Sequence, residues 1–477
     1  MVSRLFNDEP GDDGLPGNER RLAVVVLIIG TLMAVLDGSI VNIALPTIAR
    51  DFHASDSVTI WVANAFRLIN AMGLLSFAAL GDVVGYRRVY LFGLALFTPA
   101  SLGCALSHNM ATLIGMRGLQ GFGAAAMLSV GPALYRNVFP ARLLGSALGL
   151  SALVVASGMA AGPSIGGGML ALLGWPWLFA LNVPLGIVAI YLARKALPRG
   201  TGRGGRFDIT GALLSAVALG CFVMAMDGLS RQGRSAGSSI LFAASAVSGI
   251  LFVVWQTKAP KPLVPLAIFK VRRFSLAAMT SFLAFTAQGL AFITVPFLFQ
   301  SVQGYSALMS AVLFTPWPVT IIGAGPIAGR LSDRINPGLI STAGLLVFIS
   351  GLASVALLGP VATVPDILWR TALCGLGYGF FQAPNNVELL GSVDKARSGT
   401  ASGVLASART FGQSVGAAVV STVLAEQAIR AGHANAGIVP VHVALWIGCG
   451  VAAGAAAVSA ARIRRVTAPQ PQEVSAR

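Results

Sequence analysis

Of the chain's 477 residues, 55% are hydrophobic and only 10% are charged, with a mean hydropathy of +0.78. A soluble domain carries about 25% charged residues, so this composition excludes a water-covered surface and makes lipid the solvent for most of the chain. The net charge of +16 does not point to nucleic acid, because the basic residues sit in short clusters between apolar runs, the pattern of the positive-inside rule.

The first 21 residues are polar and acidic, with Asp8, Glu9, Asp12, Asp13 and Glu19 around the Arg20-Arg21 pair. They lack a basic leader with a small-residue cleavage site, so the first apolar run is expected to remain as a span. Apolar runs of about 18 or more residues occur at 22–46, 58–80, 89–107, 110–134, 143–171, 175–196, 208–228, 238–257, 274–300, 307–329, 338–360, 366–390, 399–424 and 439–461. Fourteen runs put both termini on one side. With the N terminus cytoplasmic, 25 of the 33 Lys and Arg residues fall in inside segments and four in outside segments. The rest (Arg67, Arg117, Arg370, Arg409) lie within or at the edge of runs. The expectation is a multi-pass plasma-membrane protein, of the bacterial inner membrane, with both termini cytoplasmic.

Between the second and third runs lies a polar island, Leu80-Gly81-Asp82-Val83-Val84-Gly85-Tyr86-Arg87-Arg88. Its echo, Arg330-Leu331-Ser332-Asp333-Arg334, places Asp333 251 residues after Asp82. Gly121-Phe122-Gly123 reappears as Gly375-Leu376-Gly377 at an offset of 254, and Gly162 and Gly166 align with Gly412 and Gly416 at 250. The simplest account is duplication. It divides the chain into a tail (1–21), six spans (22–200), two inserted spans (201–260), six spans (261–462) and a second tail (463–477), with a substrate path between the halves.

These residues resemble the major facilitator superfamily, and within it the fourteen-span drug:proton antiporter branch. Leu36-Asp37-Gly38 through Asn42 to Pro46 is similar to that branch's first-helix motif. Leu80 to Arg88 resembles the superfamily loop motif, although Ala78 and Val83 replace its usual glycine and basic residue. Arg117-Gly118-Leu119-Gln120-Gly121 resembles the helix-4 motif, and Gly158-Met159-Ala160-Ala161-Gly162-Pro163-Ser164-Ile165-Gly166-Gly167 the helix-5 antiporter motif. Trp175-Pro176-Trp177 with Asn182-Val183-Pro184 is similar to the start of helix 6. The resemblance implies an all-α major facilitator fold, two six-helix bundles with two extra inserted helices, that moves small molecules against protons without a cofactor.

Asp37 lies mid-span, where a carboxylate is costly and faces a cavity or a partner. It is either a proton carrier or a hydrogen-bonded structural residue. Arg117 needs an oxygen partner at that depth; the resemblance implies proton coupling with Asp37, against a structural tie between helices. Asn42, Asn64, Arg67, Gln120, Gln382, Asn385, Asn386 and Glu388 are expected along the substrate cavity, because polar groups in a span avoid lipid. For Glu388 the alternative is a pair with a loop arginine. Asp82, Gly85, Arg87, Arg88, Asp333 and Arg334 read as gating residues, with Asp82 latching Arg87 or Arg88, or as a plain topogenic turn. Gly158, Gly162, Pro163, Gly166 and Gly167 read as a close-packed hinge between the halves, or as packing alone.

The four cysteines (Cys104, Cys221, Cys374, Cys449) sit singly in apolar runs and form neither a disulfide framework nor a zinc site, and the four histidines are scattered. No nucleotide loop or nucleophile–base motif is present, which argues against an enzyme and leaves an ion gradient as the source of work. The functional expectation is proton-coupled export of amphipathic or cationic drugs. The alternatives are a narrow carrier of one metabolite, for export or import, and a non-transporting sensor or enzyme.

Overall fold

The computed structural model describes residues 3–54, 56–199, 202, 204–232, 235–431 and 438–463. Helices fill all fourteen apolar runs: α1 (Gly17–Asp51), α2 (Trp61–Val84), α3 (Tyr86–Ala105), α4 (Met110–Val138), α5 (Leu144–Leu173), α6 (Asn182–Ala196), α7 (Ile209–Gln232), α8 (Ala236–Lys258), α9 (Arg272–Phe297), α10 (Pro316–Ser332), α11 (Pro337–Ala356), α12 (Val364–Gly391), α13 (Ser398–Ala431) and α14 (Ile438–Ala460). A short helix, Ala307–Phe314, leads into α10. Among the described residues twelve helical stretches are long and apolar enough to cross a membrane. Helices α12 and α13 fall outside that set. The first carries Asp366, Arg370, Gln382, Asn385, Asn386 and Glu388, the second Arg409, Gln413 and several hydroxyls, and these dilute the apolar stretch.

The duplication is visible in the packing. Gly121 of α4 lies against the Phe66 backbone of α2, and Gly375 of α12 against the Trp317 backbone of α10, with no room for a Cβ at either position. That is an offset of 251 in the α2/α10 pair and 254 in the α4/α12 pair. The change occurs where the α3–α4 connection of four residues (106–109) becomes seven (357–363) between α11 and α12. The 254 register continues into the next helices, because Gly145-Ser146 and Gly399-Thr400 occupy equivalent first turns. Gly412 and Gly416 therefore match Gly158 and Gly162, not Gly162 and Gly166. The glycines of this stretch repeat every four residues, about one helical turn, so a one-turn slip looks the same in sequence.

Two helix pairs make the main contacts between the bundles. In α5 and α10, Gly145 meets the Gly329 carbonyl and Gly149 the Gly325 carbonyl, and a Cβ on either α5 glycine would come within 2.6 Å. In α2 and α13, Gly399 and Gly403 lie against Ala78. Helices α7 and α8 are tied by Ser245 Oγ donating to the Ala218 carbonyl (2.9 Å) and Ser248 Oγ to that of Leu214 (2.8 Å). Gly220 of α7 touches Met72 of α2, and the Phe222 ring lies 4.7 Å from Phe411 of α13. Helix α7 of the inserted pair thus covers the α2–α13 seam.

The sealed glycine contact between bundles is therefore Gly145/Gly149 with Gly325/Gly329. Gly158 and Gly166, expected at that hinge, pack instead on Val35 and Ile40 of α1 in their own bundle, and Gly167 has open space around it. Gly162 is buried, while the Pro163 side chain lies outside the described residues. Replacing Gly329 by valine forces α10 off α5. It is expected to cost about 1–3 kcal/mol of overpacking, read as a lower melting temperature of the purified protein, whereas Gly167→Val should leave that temperature unchanged.

Candidate functional site

Asp37 of α1 is 3% exposed and Arg117 of α4 is 1% exposed, and the two form an ion pair inside the first bundle. The pairing closes on every side. Gln120 Nε2 donates to Asp37 Oδ1 (2.7 Å), as does Asn182 Nδ2 of α6 (3.2 Å). Arg117 Nε donates to the Val62 carbonyl of α2 (2.8 Å) and Nη1 to Gln120 Oε1 (2.7 Å). Gln120 also reaches Ser101 Oγ of α3 (2.9 Å), and Phe66 lies 4.4 Å from the guanidinium carbon. Five helices thus meet in one cluster around the Asp37–Arg117 pair. A buried pair costs desolvation and is stable only when its remaining donors and acceptors are satisfied, a condition this cluster meets.

The second constellation lies at the end of the bundle that carries the basic loops. Helix α2 stops at Gly85, whose φ of +99° suits glycine. Asp82, one turn earlier, is 8% exposed. Its Oδ1 accepts from Tyr86 Oη (2.6 Å) and from the Gly399 amide (3.0 Å). Its Oδ2 accepts from the Thr400 amide (3.0 Å) and the Thr400 hydroxyl. A carboxylate of the first bundle therefore caps helix α13 of the second. The reverse holds at the repeat: Asp333 accepts from the Gly145 amide (2.8 Å) and from the Ser146 amide (3.3 Å) and hydroxyl, at the start of α5. Anionic groups at a helix N terminus gain from the orphan N–H groups and the helix dipole. Arg136 adds a third link, donating to Ser398 Oγ (2.9 Å) and the Val393 carbonyl (2.6 Å).

A model described as "Major Facilitator Superfamily" matches residues 27–417. The chain belongs to that superfamily. It is 43% identical over 418 residues to the uncharacterized transporter YebQ of Escherichia coli, covering 86% of this chain and 91% of that protein. It is 32% identical to the riboflavin transporter RibZ of Clostridioides difficile, covering 91% and 95%. It is also 32% identical to the multidrug resistance protein Stp of Mycobacterium tuberculosis, covering 85% and 76%. This facilitator is thus a multi-pass membrane transporter of small molecules and not an enzyme.

Several expected site residues of this facilitator have other partners. Asp82 does not latch Arg87 or Arg88: Arg87 donates to the Arg194 carbonyl and Arg88 to that of Val84 (3.2 Å). Both guanidiniums point along their own bundle, while the carboxylate turns to a helix end. Arg334 is exposed and, with Asp333, Arg142 and Glu9, lines a cavity of about 470 Å³ at the basic end. Gln120 belongs to the Asp37 cluster and not to an open cavity. Glu388 and Asn385 are taken up by Arg462 beyond α14, whose Nη1 donates to Asn385 Oδ1 (2.9 Å) and Glu388 Oε2 (3.1 Å). Asn385 Nδ2 also donates to Ser281 Oγ (2.6 Å). Gln382 and Asn386 are buried on the same helix. Asn64 is half-buried and Arg67 exposed on α2, each engaged by a neighbour; the Asn42 side chain lies outside the described residues.

Sequence reasoning missed Asn182, Thr400, Ser146, Arg136 and Arg462, because none stands near its partner in the chain, and it passed over Tyr86, four residues from Asp82, in favour of the neighbouring arginines. It also left the N-terminal tail without a role. Buried Arg20 gathers the tail by donating to the carbonyls of Leu5 (2.8 Å) and Leu15 (2.8 Å) and to Asp8 (3.0 Å). Arg142 holds both oxygens of Asp12 (2.7 Å each) and keeps its carboxyl down at about 2. Asp13 accepts from the Ala141 amide (2.9 Å) and pairs with Lys395 of the second bundle, which lowers its pKa. Both carboxylates are therefore ionised throughout the neutral range. Loss of a helix cap costs about 0.5–2 kcal/mol. Asp82→Ala and Asp333→Ala are each expected to destabilise the purified protein by that amount, and Arg88→Ala to leave its unfolding midpoint unchanged.

Proposed function

We propose that this facilitator exports amphipathic compounds in exchange for protons by alternating access, with Asp37 and Arg117 as the coupling pair. The observation that carries the reading is the Asp37 cluster, a carboxylate removed from water and shared among Arg117, Gln120 and Asn182. Protonating Asp37 cancels its charge and strands Arg117. Breaking a buried pair in this way costs about 3–5 kcal/mol, so proton binding favours a rearrangement in which the guanidinium finds another partner. The same amount, at about 1.4 kcal/mol per tenfold, suffices to shift a two-state equilibrium.

In this reading all fourteen helices span the membrane. Helices α1–α6 (22–200) and α9–α14 (261–462) form the two rocking bundles, with α7–α8 (201–260) inserted between them. The basic loops place the Asp82 and Asp333 caps, and both termini, on the cytoplasmic side of a bacterial inner membrane. The caps then hold the inner end closed while the path between the bundles opens outward. Inward opening must break both. Gly85, Arg87, Arg88 and Arg334 shape that gate, and Gln382 and Asn386 remain candidates for the substrate path.

Similarity to Stp favours broad export, and similarity to RibZ favours a narrow carrier. Everted membrane vesicles given a proton gradient and a panel of fluorescent dyes separate the two. Dyes of several chemical types are expected to accumulate and to dissipate the lumenal pH gradient. Asp37→Asn is expected to abolish accumulation without changing the amount of folded protein in the membrane; wild-type accumulation by that variant would remove the coupling role.

A further inference from the structure

Four arginines lie inside the membrane helices. Arg117 has Asp37, and Arg370 has Asp366 (3.0 Å) and the Ser354 carbonyl. Arg67 is engaged by a neighbour. Arg409 of α13 differs. Among the described residues it makes no hydrogen bond or ion pair, and its buried Nε has no partner. Its recorded neighbour is a ring: the guanidinium carbon lies 5.1 Å from the centroid of Phe285 on α9. A guanidinium at membrane depth without an oxygen is expensive, and such residues mark substrate or ion pathways.

A second unpartnered group lies beside it. Tyr378 of α12 is 1% exposed, and its hydroxyl is buried without a partner. Its ring centroid is 6.3 Å from that of Phe285, the same ring that Arg409 faces. Helix α13 packs closely on α9 at this level. Gly412 and Gly416 bring α13 against the backbone of α9, and Gln413 Nε2 donates to Gln288 Oε1 (3.1 Å) behind the arginine. Helix α13 is also the one that meets α2 of the first bundle, so Arg409 stands on an element of the seam between bundles.

A guanidinium and a phenolic hydroxyl, both unanswered, call for an acceptor with negative charge; the ring between them calls for a flat partner. We propose that Arg409 and Tyr378, flanking Phe285, bind the anionic group of an aromatic substrate, a carboxylate, sulfonate or ionised phenol. The proposal rests on the transporter reading above and deepens it. It replaces a pocket for cations with one for organic anions, since a bare guanidinium repels a cationic ligand.

The test is equilibrium binding to the purified full chain in phosphatidylcholine nanodiscs, followed by fluorescence anisotropy. The probes share one ring system: fluorescein, which is anionic, and rhodamine 123, which is cationic. Fluorescein is expected to bind saturably and more tightly than rhodamine 123. Arg409→Gln should weaken fluorescein about tenfold or more, and Tyr378→Phe, which keeps the shape of the side chain, about threefold or more. Arg409→Lys should retain most of the affinity, and rhodamine 123 should bind the variants no more weakly than the wild type. Melting curves establish that each variant is folded. Unchanged fluorescein binding in both Arg409→Gln and Tyr378→Phe, tighter binding of rhodamine 123 by the wild type, or no saturable binding of fluorescein would each overturn the proposal. The assay uses no gradient, so its result is independent of whether Asp37 couples transport to protons.

Discussion

Two carboxylates tie the bundles together at one end of this protein, and each does so by capping a helix it does not belong to. Asp82 answers the first amides of α13, and Asp333 those of α5. The glycine contacts of α5 with α10 bring the backbones close, but dispersion alone has little direction. The caps add direction, because an N–H group and a carboxylate oxygen must meet at about 3 Å. At about 0.5–2 kcal/mol each, with a further contribution of similar size from the helix dipole, the two caps would bias the proposed alternating-access equilibrium by a few kcal/mol. That is enough to favour one state and small enough to be overcome in a transport cycle.

The two bundles share a fold and differ in charge. On the 251-residue offset that relates α2 to α10, Asp37 and Gly38 correspond to Gln288 and Gly289. On the 254-residue offset, Arg117 and Gln120 correspond to Thr371 and Cys374. The duplicated glycines kept the packing, while the Asp37–Arg117 pair of the first bundle has no charged counterpart at the equivalent positions of the second. The second bundle has an arginine, Arg409, where the first has Val155 on the same offset. In our reading the first bundle handles the proton and the second the substrate. The two communicate through α13, which touches the Asp82 cap at its first turn and carries Arg409 three turns later.

Much of the fold was legible because membrane helices announce themselves by length and apolarity, and all fourteen runs are helical. The pairing of Asp37 with Arg117 was legible in part: a guanidinium at membrane depth needs an oxygen partner, and the family resemblance pointed to Asp37. The partner of Asp82 was not. A helix N terminus 317 residues away leaves no mark in the sequence, whereas Arg87 and Arg88 stand next door. Glu388 was drawn toward the cavity by its neighbours Asn385 and Asn386, and only the path of α14 shows that Arg462 reaches it. The isolation of Arg409 could not be read at all, because a missing partner is a property of the packed helices.

The most direct test of the account is a pair of distances measured by double electron–electron resonance in reconstituted protein. Spin labels at positions 88 and 391 straddle the capped end, and labels at 106 and 361 straddle the opposite end; all four positions are exposed. With Asp82 and Asp333 both changed to alanine, the 88–391 distance is expected to gain a longer population while the 106–361 distance shortens. If both distances keep their wild-type distributions once the two carboxylates are gone, the caps do not hold the closed state and the account fails.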